Sequence, residues 1–455
     1  MRVRTAVQGA LCGALFAAQR ASGLELDISS ANSIKQAAKT IANGMLNYYN
    51  GEDPGGIPGL LPPPYYWWEA GAMFGSLIDY WYYTGDDTFN RVTTDGMLFQ
   101  VGPDYNFMPP NQSKSLGNDD QAFWGLAAMS AAEVKFPNPP EDQPQWLALA
   151  QAVFNSQALR WNTEACGGGL KWQIYSFNVG YNYRNTISNG CFFNLAARLG
   201  AYTQNETFFR WAERSWDWVV EPSIGLVADN YRVYDGTHDT ANCTNLVRVQ
   251  WSYNAGVYLL GAATMWNQTT GADQEMWQAR AQGLLDAISV FFYKGTNVMF
   301  EVACEPRGTC NVDQRSFKAY LGRWMAATTK VAPWTHDTII PFLQQSAQAA
   351  ATSCSGGDSG TECGMRWTTG NWDGQLGVGE QMSALEVIQS NLIDNVQGPV
   401  SNTTGGISTG DSNAGTTGDD LIYTEPITTG DRAGAGIITA MLLVFIVGGA
   451  WWMVR

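Results

Sequence analysis

Histidine is nearly missing: His238 and His336 are the only two in 455 residues, so chemistry that depends on imidazole as base or metal ligand has little to draw on. Positive charge is also scarce. Lysine and arginine number 26 against 41 acidic residues, a formal net charge of −15, and no basic cluster is long enough to follow a phosphate backbone. Nucleic acid is therefore excluded as a partner. The cysteines show none of the short paired spacings of a zinc site, no metal is implied, and no cofactor is called for. Long alternating strand patterns are absent, and no linker interrupts residues 30 to about 396. The chain therefore reads as one large domain, despite a length that could make two or three.

What the chain does have is aromatic rings. Trp, Tyr and Phe number 19 each, and faces in such excess suit a groove that stacks on the C–H surfaces of sugars, although many must still be core. Both ends read as processing signals. Arg2 and Arg4 precede an apolar run from Ala6 to Ala18, with small residues at Ala21, Ser22 and Gly23, so residues 1–23 read as a secretory signal peptide and the mature domain as 24–397. Residues 398–432, rich in Gly, Ser, Thr and Asp, read as an unfolded stalk before an almost wholly apolar segment, 433–455. That tail suits a GPI signal with attachment at Ser412, Asn413 or Gly415, or else a membrane-spanning stretch. The expected location is the cell surface.

Secretion also accounts for the cysteines. Losing Cys12 with the signal peptide leaves an odd number, so one is free or bonds between chains. Cys304 with Cys310 and Cys354 with Cys363 would each staple a loop, Cys166 with Cys243 is a further pairing, and Cys191 is then the buried free thiol. Asn111, Asn205, Asn242, Asn267 and Asn402 open glycosylation sequons, and those that are modified must sit at the surface.

Apolar residues recur at helical spacing over 31–49, 67–84, 86–100, 118–134, 144–160, 186–203, 206–220, 249–268, 273–292, 313–330, 335–351 and 379–395. The joints Tyr82-Tyr83-Thr84-Gly85-Asp86-Asp87, Tyr202-Thr203-Gln204-Asn205-Glu206 and Thr269-Thr270-Gly271-Ala272-Asp273 each end one helix and open another. Such recurrence signals stacked helix hairpins, and six of them can close into an all-α (α/α)6 toroid; an open α-solenoid is the alternative. In a toroid, the loops leading into the inner helices gather at one mouth. Those loops have unusual compositions: Asp53 to Glu69 with Tyr66 and Trp68, Pro109 to Asp120, the glycines around Gly168 with Trp172, and Arg248 to Asn254.

Two consecutive aspartates, Asp119 and Asp120, stand at the predicted start of one such helix. A retaining glycosidase needs two carboxyl groups about 5 Å apart, one attacking carbon and the other moving a proton. Helix neighbours point roughly 100° apart, so both can face one pocket only at the helix end. There the free N–H groups favour the nearer carboxylate, while like-charge repulsion raises the other's pKa. The residues Asn118, Asp119 and Asp120 equally suit simple helix capping. Around them, Trp68 and Glu69 are a stacking platform and hydroxyl acceptor or else core; Trp251, Tyr253 and Asn254 form a polar-aromatic cluster; Gln121 and Asn189 bond sugar hydroxyls or cap helices. Trp124 belongs to the same aromatic group. Lys318 and Arg323 read as pairing with surface acids, Asp373 as a turn former, and Asp79, Asp86 and Asp87 as structural.

Tyr66-Trp67-Trp68-Glu69-Ala70-Gly71-Ala72, Gly117-Asn118-Asp119-Asp120-Gln121, Ile187-Ser188-Asn189-Gly190, Gln250-Trp251-Ser252-Tyr253-Asn254 and Gly379-Glu380-Gln381-Met382-Ser383-Ala384 together resemble glycoside hydrolase family 76, the α-1,6-mannanases, across about Ile34 to Leu392. Within it, the chain is similar to the fungal GPI-anchored branch of mannan endo-1,6-α-mannosidases named for defective filamentous growth. The resemblance implies an (α/α)6 barrel, Asp119 as nucleophile and Asp120 as general acid/base. It also implies retention on α-1,6-mannan or the GPI core glycan, with transfer of GPI-anchored mannoproteins to a β-glucan acceptor in the cell wall. Gly190-Cys191 departs from many bacterial members and puts the neighbouring subsite in doubt. Three other readings stand beside transfer: a simple endo-hydrolase, a non-catalytic mannan-binding wall protein, and an inverting enzyme using Asp53 or Glu69 as a distant base.

Overall fold

The computed structural model describes residues 23–416 and scattered helical positions between 436 and 448. The expected signal peptide, the later half of the stalk and most of the apolar tail lie outside the described residues. Within 23–416 the α-helices are α1 (Ala31–Leu46), α2 (Trp67–Thr84), α3 (Asn90–Phe99), α4 (Asn118–Glu133), α5 (Trp146–Leu159), α6 (Thr186–Thr203), α7 (Glu206–Val220), α8 (Ser252–Gln268), α9 (Gly271–Ala287), α10 (Phe317–Val331), α11 (His336–Ser353) and α12 (Val378–Gln389).

The even-numbered helices pack in succession, and α12 returns to α2, so the ring is closed and an open solenoid is excluded. Their sequences explain the position. Helix α4 is buried on almost every face, and where it meets α5 the site of a missing Gly125 side-chain carbon lies only 2.8 Å from Val153 Cγ1. A methyl group there would force the helices apart. Outer helices instead carry one apolar stripe: α7 buries Phe208, Ala212, Ser215, Trp216 and Val219 and turns Glu206, Arg210, Glu213 and Asp217 outward. Each inner helix begins at one end of the barrel, called the mouth here, and returns through a joint at the back. All three anticipated back joints turn on a left-handed residue, Gly85 after α2, Gln204 after α6 and Gly271 at the start of α9.

Several boundaries differ from the sequence reading. The segment expected as helix from 249 is extended through Trp251, and 313–316 is a 3-10 turn before α10. Short antiparallel strands β1 (Tyr183–Asn185), β2 (Gly236–His238) and β3 (Leu246–Val247) form a sheet at the mouth, and β4 (Phe292–Tyr293) pairs with β5 (Val298–Met299). Two or three residues are too few for an alternating pattern to register.

Lys318 and Arg323 are not surface groups. Lys318 is fully buried, 2.9 Å from Glu305 and 3.7 Å above the Trp367 ring, and Arg323 sits between Asp79 (2.7 Å) and Glu386 (2.6 Å). An α10 inside the ring turns both toward its neighbours rather than to water. Asp373 accepts from the amides of Met365, Arg366 and Gln375, as a turn former does. Disulfides join Cys166 to Cys243, Cys304 to Cys310 and Cys354 to Cys363, leaving Cys191 free and buried. All five sequon asparagines are exposed.

The stalk does not begin at 398. Val400 donates to Glu133 O and Asn402 to Tyr202 O across the back, and Leu147 N donates to Ser408 Oγ at 2.9 Å. Residues to 416 continue as a strap on the barrel, because main-chain groups of this polar segment find partners at helix ends that would otherwise lack them. The strap roofs a cavity of about 350 Å³ bordered by Arg198, Glu133, Arg323 and Asp79.

Replacing Arg323 by Met would leave Asp79 and Glu386 buried beside each other without their cation. Such a loss costs about 3–5 kcal/mol, which urea denaturation would read directly; a loss below about 1 kcal/mol, the scale of an exposed pair, would show that the cluster is solvated.

Candidate active site

The cleft at the mouth has a volume of about 380 Å³ and is bordered by Asp119, Asp120, Phe123, Trp68, Trp172, Tyr183, Asn185, Asp235, Val249, Trp251, Tyr253, Asn311, Asp313, Gln314 and Phe317. Its floor is the first turn of α4. That turn is fixed from outside the helix: Asn118 N donates to Trp172 O at 2.8 Å, Asn118 Nδ2 to Lys171 O at 2.9 Å, and Arg160 Nε to Asn118 Oδ1 at 2.9 Å. The N-cap is Gly117.

Capping and cleft lining coincide here. Gly117 N donates to Asp120 Oδ2 at 2.6 Å, and Asp120 N to Asp119 Oδ1 at 3.0 Å, while Asn185 Nδ2 donates to Asp119 Oδ2 at 2.7 Å. A side-chain carbon at Gly117 would lie within 3.0 Å of both Asp119 Oδ1 and Asp120 Oδ2. Two oxygens that close to one point are less than about 6 Å apart, which is compatible with a retaining pair and short of the ~6.5–9.5 Å that leaves room for an inverting water.

Their acidities separate as the chemistry needs. Burial raises both pKa values, and the charge of Asp313 adds to each; the Asn185 amide and two main-chain N–H groups draw Asp119 back down, whereas the charge of Asp119 drives Asp120 further up. Asp119 is the one to ionise first, and Asp120 keeps the proton.

The walls are aromatic. Tyr253 stacks on Phe317 with centroids 3.8 Å apart, and Trp172 meets Tyr183 edge to face. Two rings are aimed by carboxylates: Trp68 Nε1 donates to Asp313 Oδ1 at 3.0 Å, and Trp251 Nε1 to Asp235 Oδ1 at 2.9 Å, with Tyr183 Oη also on Asp235.

Of the residues expected around the pair, Trp68, Trp172, Trp251 and Tyr253 do border the cleft, and the others do not. Trp124 is fully buried, stacked between Trp67 and Phe107, because position 124 turns away from the helix end. Gln121 bonds Asn106 O and Ser156 beneath the site, and Asn189 clamps Leu170 through its amide and carbonyl. Gly168 is packed under Trp161 and Trp218 and offers its carbonyl to Arg184. Asn254 is buried within the first turn of α8, and Tyr66 and Asp53 are exposed on loops outside the cleft. Glu69 is fully buried, with no hydrogen-bond partner for either carboxyl oxygen among the described residues. Neither Asp53 nor Glu69 is thus placed as an inverting base. Gly190 and Cys191 are buried against α8 and do not border the cleft. Sequence reasoning missed Asn185, Asp235 and Asp313; Asn185 and Asp235 follow tyrosines, Tyr183 and Tyr234, in loops leading to inner helices, whereas Asp313 stands in a stretch without aromatic residues and carries no such signal.

Comparison with known proteins places this arrangement in a class. Residues 33–403 match Glycosyl hydrolase family 76, and the chain belongs to that family of enzymes. It is 46% identical to the mannan endo-1,6-alpha-mannosidase DCW1 of Saccharomyces cerevisiae, with 98% of each chain covered, and 45% identical to DFG5 of the same yeast, with 94% of each covered. It also resembles the crystal structure of Dfg5 from Chaetomium thermophilum in complex with glucosamine, at 48% identity and a TM-score of 0.81, over 86% of this chain and 97% of that one. The GH76A alpha-1,6-mannanase of Salegentibacter sp. HEL1_6 shares the fold, with a TM-score of 0.63 at 17% identity over 79% of this chain and 98% of that one.

Two outcomes follow from the geometry. Gly117→Ala has an allowed backbone (φ −98°) but sets a methyl against both carboxylates and Trp172 O; turnover should fall at least about tenfold, the scale of a small misplacement in catalytic geometry, with a melting temperature near wild type. Unchanged turnover would mean the pair adjusts freely. Glu69, whose pKa is raised by burial and then by the charges of Asp313 and Glu380, binds its proton more tightly folded than unfolded. Its contribution to stability is whole below the unfolded value of about 4.3 and is lost as pH rises from there toward the raised value. Glu69→Gln cannot ionise, so its melting temperature should fall less between pH 5 and pH 8 than that of wild type; parallel curves would place Glu69 in contact with water.

Proposed function

We propose that this enzyme is a retaining endo-α-1,6-mannosidase that also transfers: it cleaves an α-1,6-mannosidic bond in mannan or a GPI core glycan and passes the mannosyl end to water or to a sugar hydroxyl. One observation carries the reading, the two carboxyl groups of Asp119 and Asp120 side by side in an aromatic cleft. The names of the relatives supply the sugar.

In the first step Asp120 gives its proton to the glycosidic oxygen while Asp119 attacks the anomeric carbon; the C–O bond to the leaving sugar breaks, and a mannosyl ester forms on Asp119. Asp120, now ionised, takes the proton of an incoming hydroxyl as that oxygen displaces Asp119 from carbon. The two carboxyl groups are then as they began. Asn185 holds the attacking carboxylate in place through its 2.7 Å bond. Trp68, Trp172, Trp251 and the Tyr253–Phe317 stack offer ring faces to sugar C–H surfaces, and Asp235 and Asp313, which aim two of those rings, have oxygen left to accept sugar hydroxyls. Walls of this kind favour a sugar acceptor over water, which supports transfer to wall β-glucan as the physiological outcome.

The C-terminal apolar segment supports attachment to the outer leaflet by a GPI anchor, with the enzyme secreted and acting between membrane and wall; sharing a surface with an anchored donor raises their encounter rate. The exposed sequons support N-glycosylation. A binding-only protein gains nothing from two like carboxyls held together at a cost in desolvation.

Asp119→Asn and Asp120→Asn should each lower turnover of an α-1,6-mannan oligosaccharide on the order of 10²–10⁴-fold with near-native melting. An aryl α-mannoside whose leaving group needs no proton separates their roles: it should restore ester formation in the Asp120 variant, seen as trapped mannosyl-enzyme by mass spectrometry, and fail to do so in the Asp119 variant. Full activity of either variant on the oligosaccharide removes that residue from the mechanism. Products formed with a β-glucan oligosaccharide present then report transfer against hydrolysis.

A further inference from the structure

Trp251 and Tyr253 both border the cleft, and the residue between them is buried behind it. Ser252 N lies 3.2 Å from each carboxyl oxygen of Glu301, and the Ser252 hydroxyl also bonds that carboxyl. Glu301 is fully buried, in the segment between β5 and α10, and the mechanism above does not use it. A gap at the start of α8 explains its place. The N-cap of that helix is Trp251, whose side chain offers no oxygen to the free amides of the first turn. Glu301 supplies the acceptor from 49 residues along the chain.

The support continues to the neighbouring inner helix. Glu301 N donates to Glu305 Oε1 at 2.8 Å, and Lys318 Nζ lies 2.9 Å from the same oxygen while also donating to Met365 O. Lys318 is the second residue of α10, and the first is Phe317, which stacks on Tyr253 at 3.8 Å and an interplanar angle of 9°. The first turns of α8 and α10 are thus joined twice, by two rings on the cleft side and behind them by Ser252, Glu301, Glu305 and Lys318. The Cys304–Cys310 disulfide closes the loop that carries Glu305.

Buried polar groups are costly unless each is paired, and apolar side chains would join two helices without that cost. Directional bonds do what apolar packing does not: they fix the rotation of one helix against the other. Parallel rings in contact tolerate little such rotation. Tyr253 is the more exposed of the two rings, so it presents the open face to the cleft and Phe317 backs it.

We propose that Glu301 is a positioning residue for the sugar-binding wall: by capping α8 through Ser252 and reaching α10 through Glu305 and Lys318, it holds Tyr253 flat on Phe317 where the mannosyl chain stacks. This rests on the reading of the cleft as the mannan site, and the test separates the two.

Steady-state kinetics of the full enzyme on α-1,6-mannotetraose check it. Glu301→Ala should raise KM roughly three- to tenfold, the range of one aromatic contact. Its kcat should stay within about twofold, because the aspartate pair is held by the first turn of α4 and by Asn185 rather than by this network. Burial pushes Glu301 up to about 8, so near neutrality it is mainly uncharged, and Glu301→Gln, which keeps an accepting oxygen, should restore the wild-type KM. In a Tyr253→Leu background, Glu301→Ala should raise KM no further, since the ring it positions is gone. Should Glu301→Ala not fold, Ser252→Ala, which removes only the hydroxyl of the contact, takes its place in the same cycle with a smaller rise in KM. An unchanged KM, a fall confined to kcat, or a full further rise in the Tyr253→Leu background overturns the proposal. Tyr253→Leu alone separates the two readings: an unchanged KM there defeats the cleft reading together with this proposal, whereas a raised KM beside an unchanged one in Glu301→Ala defeats this proposal alone.

Discussion

The site depends on how the chain enters α4. A helix N-terminus is ordinarily a frayed end with unsatisfied amides, and two carboxylates on its first turn would sample many rotamers. Here the turn is clamped through Asn118 by Trp172 O, Lys171 O and Arg160, and through Gly117 by the bridge to Gln173. The carboxylates take the amides of Gly117 and Asp120 as their own partners. Capping, usually the alternative to a catalytic reading, is the means by which these side chains are held at a fixed separation. Glycine at 117 is required because any side chain there would occupy the space the two oxygens share.

From that clamp the rest of the mouth can be read as support. The loop that supplies Trp172 is itself fixed, since Trp172 N donates to Tyr183 O at 2.7 Å, and Tyr183 begins β1, which leads straight into Asn185. Asn185 caps α6 through Ser188 N and at the same time holds Asp119. One asparagine thus couples two inner helices at the reacting group. The Cys166–Cys243 disulfide ties the loop before α6 to the segment after β2.

The fold and the acidic pair that borders the cleft were legible because both are local or periodic signals. Twelve segments at helical spacing, with repeated joints, carry the ring; adjacent aspartates carry the proposed chemistry. The surroundings were less legible for geometric reasons. Gln121 and Trp124 lie within five residues of Asp120, yet each position turns by about 100°, which points them into the core, while Asp235 and Asp313 reach the cleft from segments more than a hundred residues away. Glu69 misled for a related reason: Trp68 faces the cleft and the next residue faces inward. Lys318 and Arg323 look like surface charges in one dimension, and only closure of the ring encloses them. The first half of the stalk, residues 398–416, failed as an inference from composition, because Gly, Ser and Thr segments also form ordered straps when helices offer hydrogen-bond partners.

The two ends of the barrel handle buried charge in opposite ways, and that difference suits the mouth to the proposed chemistry. At the back, the acids are paired with cations: Arg198 with Glu133 at 2.6 Å, and one Arg323 shared between Asp79 and Glu386. Among the described residues bordering the cleft stand Asp119, Asp120, Asp235 and Asp313, with no Lys or Arg beside them. A cation there would draw the pKa values of Asp119 and Asp120 down and leave Asp120 ionised, without the proton that the proposed mechanism asks of it. Instead the mouth compensates its carboxylates with neutral donors, an asparagine amide, two indole N–H groups and main-chain amides. Neutral donors orient a carboxylate without fixing its charge, so proton affinity is left to burial and to the neighbouring acid. The scarcity of basic residues noted in the sequence is, at this one place, a condition of the chemistry.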